Sequence, residues 1–136
     1  MIRWALCIIA VFLSLAGHAY SQTYLDGSTD LICSPTEASL CDDAARCRQG
    51  NVRDFSLPRF ITLKFSTGEL VFKYGGDRVM IGKLNRFKDT GKRIVIHDVV
   101  DHRAVMIVII KGTGEFLASG IRPNVNFFVT GFCERY

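Results

Sequence analysis

From Pro58 onward apolar side chains recur at every second residue, and that period commits the chain to strands. In "RFITLKFS", Ile61, Leu63 and Phe65 alternate with Thr62, Lys64 and Ser66, and in "ELVFKY" Leu70, Phe72 and Tyr74 share a side. Side chains of an extended strand point alternately to opposite faces, so this pattern sets one face of a sheet against a core. "RVMIGKLNRF" alternates less cleanly, and Gly82 reads as a bulge that shifts the phase. "KRIVIHDVV", "RAVMIVIIK", "GEFLASGI" and "NVNFFVTGFC" continue the series. Turn signals separate these runs at Ser66-Thr67-Gly68, Gly75-Gly76-Asp77, Asp89-Thr90-Gly91, Gly112-Thr113-Gly114 and Pro123-Asn124. With "TDLIC" as a first strand, the expectation is an all-β antiparallel meander of about eight strands, a closed barrel or a sandwich. The alanine-rich "TEASLCDDAARCRQ" is expected to hold a helical turn or two.

The chain begins "MIRWALCIIAVFLSLAGHAYSQ". Arg3 gives a positive start, Trp4 to Leu15 is apolar except for Ser14, and Ala19 and Ser21 fit a cleavage site before Gln22. Residues 1–21 therefore read as a signal peptide and 22–136 as one β domain exported to the periplasm or beyond. The apolar run falls short of the ~20 residues of a membrane span, so no transmembrane helix is expected in the mature chain. Cys7 leaves with the signal; too little precedes it for a lipid-modified cysteine.

Cys33, Cys41, Cys47 and Cys133 remain, and an oxidising compartment makes two disulfides the default. Spacing does not decide among the three connectivities; Cys41–Cys47 and Cys33–Cys133 are favoured, the second tying the first strand to the last. Zinc sites prefer closer pairs such as C-x₂-C, which these cysteines lack.

Chemistry finds little purchase. In "HDVVDH", His97 and Asp101 fall on one side of a strand and Asp98 and His102 on the other, so the hexamer reads as a strand end and turn. There is no Gly-x-Ser-x-Gly elbow and no glycine-rich phosphate cradle, and Asp42-Asp43 lie in a polar stretch without the apolar setting that a carboxyl general acid needs. The chain reads as a non-enzyme without metal or cofactor. Its 17 Lys+Arg against 13 Asp+Glu, net +4, are too balanced to argue for nucleic acid.

"KLNRFKDTGKR" is the candidate contact surface. Lys83, Arg86, Lys88, Lys92 and Arg93 crowd one hairpin with Phe87 interleaved and Asp89 as the single acid. Such a knob attracts an anionic envelope component, whether lipid headgroup or polysaccharide, or an acidic protein surface; the plainer reading is a solvated turn. "AVMIVII" is apolar on both faces, where a half-solvated sheet has one polar face. The disulfide-tied segment with Leu40, Phe55 and Leu57 is expected to cover the second face; a homodimer interface or an apolar ligand are the alternatives.

The export signal, the Cys41 and Cys47 loop, the meander and the "FFVTGFC" ending, with Gly131 before Cys133, resemble small exported bacterial proteins of unknown function. That resemblance implies a small β fold and supplies no activity. "LASGIRPN" is similar, more weakly, to the Ser-Gly loop with which periplasmic inhibitors of C-type lysozyme plug their target; Pro123 stands where that family has a tyrosine. This implies Ser119, Gly120 and Arg122 as an inhibitor loop. The leading expectation is a non-catalytic binding or envelope-associated protein, ahead of a cell-wall hydrolase inhibitor. A small apolar-ligand carrier, which needs an open interior, comes third.

Overall fold

The computed structural model describes residues 25–136 apart from Asn85 and Asp101; the signal peptide expected at 1–21, with Cys7, lies outside the described residues. Ten strands make up the domain: β1 (Leu31–Asp42), β2 (Cys47–Asn51), β3 (Phe60–Lys64), β4 (Glu69–Lys73) and β5 (Val79–Lys83) precede β6 (Phe87–Asp89), β7 (Arg93–Val100), β8 (Arg103–Ile110), β9 (Glu115–Arg122) and β10 (Val125–Arg135). Among the described residues there is no helix, and none long and apolar enough to cross a membrane.

All strands join one antiparallel sheet in the order β5-β4-β3-β1-β10-β9-β8-β7-β6, with β2 beside the second half of β1. The meander is thus two arms, β3 to β5 and β6 to β10, and β1 is the strand that joins them. The sheet curls into a half-barrel. Its two ends meet through side chains, not through a ladder, and Gly82 shows how. The β4–β5 register runs unbroken through Leu70↔Gly82, so no bulge forms there. A Cβ at Gly82 would lie 2.7 Å from Val100 Cγ2, so the glycine lets β5 press against β7. The bulge lies elsewhere, between Pro35 and Glu37 on β1, where proline has no N–H to give the ladder.

The strand count exceeds eight for two reasons. "RVMIGKLNRF" divides at Leu84 into β5 and β6. "TEASLCDDAARCRQ" forms a hairpin, not helical turns: β1 continues to Asp42 and β2 returns along it. Asp42 Oδ1 accepts the N–H groups of Ala44 and Arg46, closing a turn that alanine propensity alone does not foresee. Both disulfides join residues directly opposite on neighbouring strands, Cys33 with Cys133 and Cys41 with Cys47. Two such bonds are the chemistry of an oxidising compartment.

The inner face carries the core. Leu31, Leu63, Leu70, Ile94, Ile96, Ile107 and Ile109 are fully buried with Cys33. The loop after β2 lowers Val52 and Leu57 into the same cluster, with Phe55 packed against it. The cavity left among Leu57, Phe72, Met80, Val105 and Phe127 is about 30 Å³, room for about one water.

Candidate interaction surface

The β6–β7 hairpin is the basic stretch singled out in the sequence. Its turn is held by Asp89 Oδ1, which accepts the Gly91 N–H at 2.7 Å, and by the Thr90 N–H, which donates to Arg93 O at 2.9 Å. Residues directly opposite on neighbouring strands share a face. Phe87 and Asp89 therefore point inward with their partners Ile96 and Ile94, while Lys88 points outward with Val95. Phe87, still 45% exposed, sets its ring edge-on to Phe65 at 5.3 Å between centroids.

Asp89 is the only acid between Lys83 and Arg93, and its charge is already taken. Its Oδ2 accepts Lys111 Nζ at 2.6 Å, and Lys111 is 4% exposed. The backbone of Lys111 fixes the arrangement: its N–H donates to Lys92 O, and its carbonyl accepts the Leu25 N–H. The Lys111 ammonium first, and the Gly91 N–H second, hold the Asp89 carboxyl below the ordinary carboxylate range. Local pattern does not reveal this partner, because Lys111 follows β8 and meets Asp89 only when the sheet curls.

This pair makes a prediction. Stability from a lowered carboxyl is full above its unfolded pKa and is lost as pH falls through the folded value. Asp89→Asn should melt several degrees below the parent at pH 7, and the gap should close below about pH 4. A gap that widens in acid contradicts the pairing.

With Asp89 engaged, Lys83, Arg86, Lys88, Lys92 and Arg93 are all exposed, and no ion pair involves any of them among the described residues. They do not all gather. Lys83 ends β5 opposite Glu69. Arg86 precedes β6, and its carbonyl accepts the His97 N–H at 3.0 Å. Arg86, Lys88, Lys92 and Arg93 thus belong to the β6–β7 edge.

Behind that edge lies the second face of "AVMIVII". Val105, Ile107 and Ile109 are buried in the core, whereas Met106 is 45% and Ile110 38% exposed, with Val108 half-buried. The expected cover is not there. Leu57 is in the core, and Leu40 and Phe55 pack against it from the inner side, because the β1–β2 hairpin and its loop close the inner face. The apolar outer surface extends through Leu117, Ile121, Phe128 and Phe132, all exposed. A trough of about 600 Å³ crosses it, lined by Arg93, Val108, Ile110, Glu115, Leu117 and Phe132. Past Phe128 the surface turns polar, where Thr36, Glu37, Ser39, Gln49 and Asn51 line a second groove of about 550 Å³.

The other sequence candidates do not assemble a site of their own. Ser119 and Gly120 sit within β9, not in a loop, and Arg122 ends that strand. Ser119 is half-buried on the outer face between Met106 and Phe128, and the Phe127 ring occupies the space a Cβ at Gly120 would need. His97 and Asp98 lie in β7, and His102, at φ 59°, belongs to the tight connection to β8. No three of His, Cys, Asp and Glu converge among the described residues. Asp42 is held below the ordinary carboxylate range by Arg46, the opposite of what a general acid needs. Comparisons with protein-family models, with curated proteins and with solved structures find no match to this chain.

Proposed function

We propose that this chain is an exported, non-catalytic binding module that attaches to an anionic component of the cell envelope through its β6–β7 hairpin. One observation carries the reading: Arg86, Lys88, Lys92 and Arg93 are exposed while Asp89, the one acid among them, is bonded to buried Lys111. A solvated turn kept soluble by lysine has no need to tie its one carboxylate to a buried lysine from another strand end. Each cation near an anionic surface contributes about 1 kcal/mol, and the attraction fades over about 8 Å at physiological salt. A compact cluster uses that short range better than scattered charge.

The other expectations have less behind them. An inhibitor that plugs a cleft needs a projecting loop, and Ser119 and Gly120 are in register within β9. A carrier needs an interior pocket, and the interior cavity of about 30 Å³ is far below the hundreds of Å³ such sites occupy.

Arg86→Glu with Lys88→Glu should weaken binding to phosphatidylglycerol vesicles or to an anionic envelope extract at least about thirty-fold, by two lost contributions of about 1 kcal/mol each. Both positions are exposed, so melting should stay within a degree or two of the parent. Binding unchanged by the double reversal removes the hairpin as the contact.

A further inference from the structure

We infer that the outer face of β7 to β10 is a bilayer-contact surface, on which the hairpin cations seat on lipid phosphates while Met106, Leu117, Phe128 and Phe132 enter the acyl boundary. The inference rests on the hairpin reading above and adds the class of anionic partner.

The ladder itself places charge and grease in line. Lys88 lies opposite Val95, Val95 opposite Val108, and Val108 opposite Leu117, so a cation heads that row across the outer face. Arg93 lies opposite Ile110, and on the far side of the trough Glu115 lies opposite Phe132, so one carboxylate stands beside these apolar side chains. Ile110 lies at the end of β8, and its partner Arg93 shares the trough with Val108, Leu117 and Phe132. A second row runs from His97 through Met106 and Ser119 to Phe128, with the Arg86 backbone bonded at its head. Cations therefore border the surface along its β6 side, and Val108, Ile110, Met106, Leu117, Phe128 and Phe132 make up the apolar part behind them, with Ser119 among them and Glu37 and Glu115 at the trough.

Each candidate occupant meets this pattern differently. A soluble polyanion would satisfy the cations and leave exposed Phe128, Phe132 and Leu117 wet. A second copy would bury those side chains but brings no excess of acid, since the chain is itself +4. An anionic bilayer offers both chemistries side by side: phosphates at the headgroup level and hydrocarbon immediately beneath. Exposed apolar patches of this kind mark contact surfaces on proteins that are otherwise soluble.

The test uses the exported form, residues 22–136, with phosphatidylglycerol-containing vesicles, and with phosphatidylcholine vesicles beside them. The parent should co-sediment with the first and not the second. Leu117→Ser with Phe128→Ser should lower partition at least about tenfold and leave only binding that disappears in 0.5 M salt, since charge attraction alone is screened over about 3–4 Å there. Phe128→Trp supplies a readout that does not depend on that variant folding. Residues 22–136 contain no tryptophan, so the emission reports position 128 alone. Its emission should move to shorter wavelength on anionic vesicles and be quenched by brominated acyl chains. Quenching absent, or Leu117→Ser/Phe128→Ser partition equal to the parent's, overturns the bilayer face and leaves the hairpin standing, provided Arg86→Glu/Lys88→Glu still weakens binding. If that reversal has no effect either, the hairpin reading falls with it. A dimer by light scattering that the Leu117→Ser/Phe128→Ser variant converts to monomer reassigns the face to a second copy and overturns the inference.

Discussion

Replacing Cys33 and Cys133 together by alanine lowers the stability of the domain by about 4 kcal/mol. The two residues are separated by 100 positions in sequence and lie directly opposite each other on β1 and β10, with Cα atoms 3.9 Å apart. Cross-linking across such a span removes about 4–5 kcal/mol of chain entropy from the denatured ensemble, less whatever compaction that ensemble already has. Its place in the sheet adds to the effect. β1 is the strand that joins the β3–β5 arm to the β6–β10 arm, and Cys33 pairs with Ile61 of β3 on its other side. Cys33 is 0% and Cys133 6% exposed, so removal of the sulfurs also leaves space in a packed centre. The second disulfide is the internal control. Cys41 and Cys47 are 6 positions apart at an exposed hairpin, and the same chain-entropy relation gives about 2 kcal/mol for their loss. Urea titrations of the two double variants should therefore show the Cys33/Cys133 pair costing roughly twice as much. Equal losses, or a greater loss at Cys41/Cys47, contradict the assignment of β1–β10 as the junction.

How far this architecture could be read in the sequence depends on range. Alternation in "RFITLKFS" and "ELVFKY" names β3 and β4 because each strand needs only its own side chains to show which face is buried. Turn glycines work the same way: Gly68, Gly76, Gly91 and Gly114 all take positive φ in the expected connections. Where the cause is distant the reading failed. Gly82 resembles a bulge locally, and only the approach of Val100 from β7 explains it. "TEASLCDDAARCRQ" carries a weak helical preference that the β1 ladder overrides, since β1 pairs β10 on one side and β2 on the other. The contact surface shows the same division. The cations from Arg86 to Arg93 are visible as a run, but the removal of Asp89 by Lys111 is a property of the folded sheet.

The two faces of β8 provide the sharpest separation of structure from surface. Ile107→Ala should cost about 4 kcal/mol, whereas its neighbour Met106→Ala should cost less than about 1 kcal/mol. Ile107 is 0% exposed, opposite Ile96 on β7 and Ala118 on β9, and those neighbours are held in their own ladders and cannot collapse into the space. Met106 is 45% exposed between His97 and Ser119, so its truncation opens no cavity and returns little surface to water. Both substitutions sit in mid-strand, and isoleucine's greater strand preference accounts for less than about 1 kcal/mol, which leaves burial as the main difference between them. Denaturant titrations with a common slope measure it directly. A loss at Met106 close to that at Ile107 means that the outer face is covered in solution. Dilution then distinguishes a self-association, whose contribution falls with protein concentration, from cover supplied by the chain itself, whose contribution does not. A loss confined to Ile107 leaves the outer apolar rows uncovered in the isolated protein, which is the state a surface needs if it is to bury them against something else.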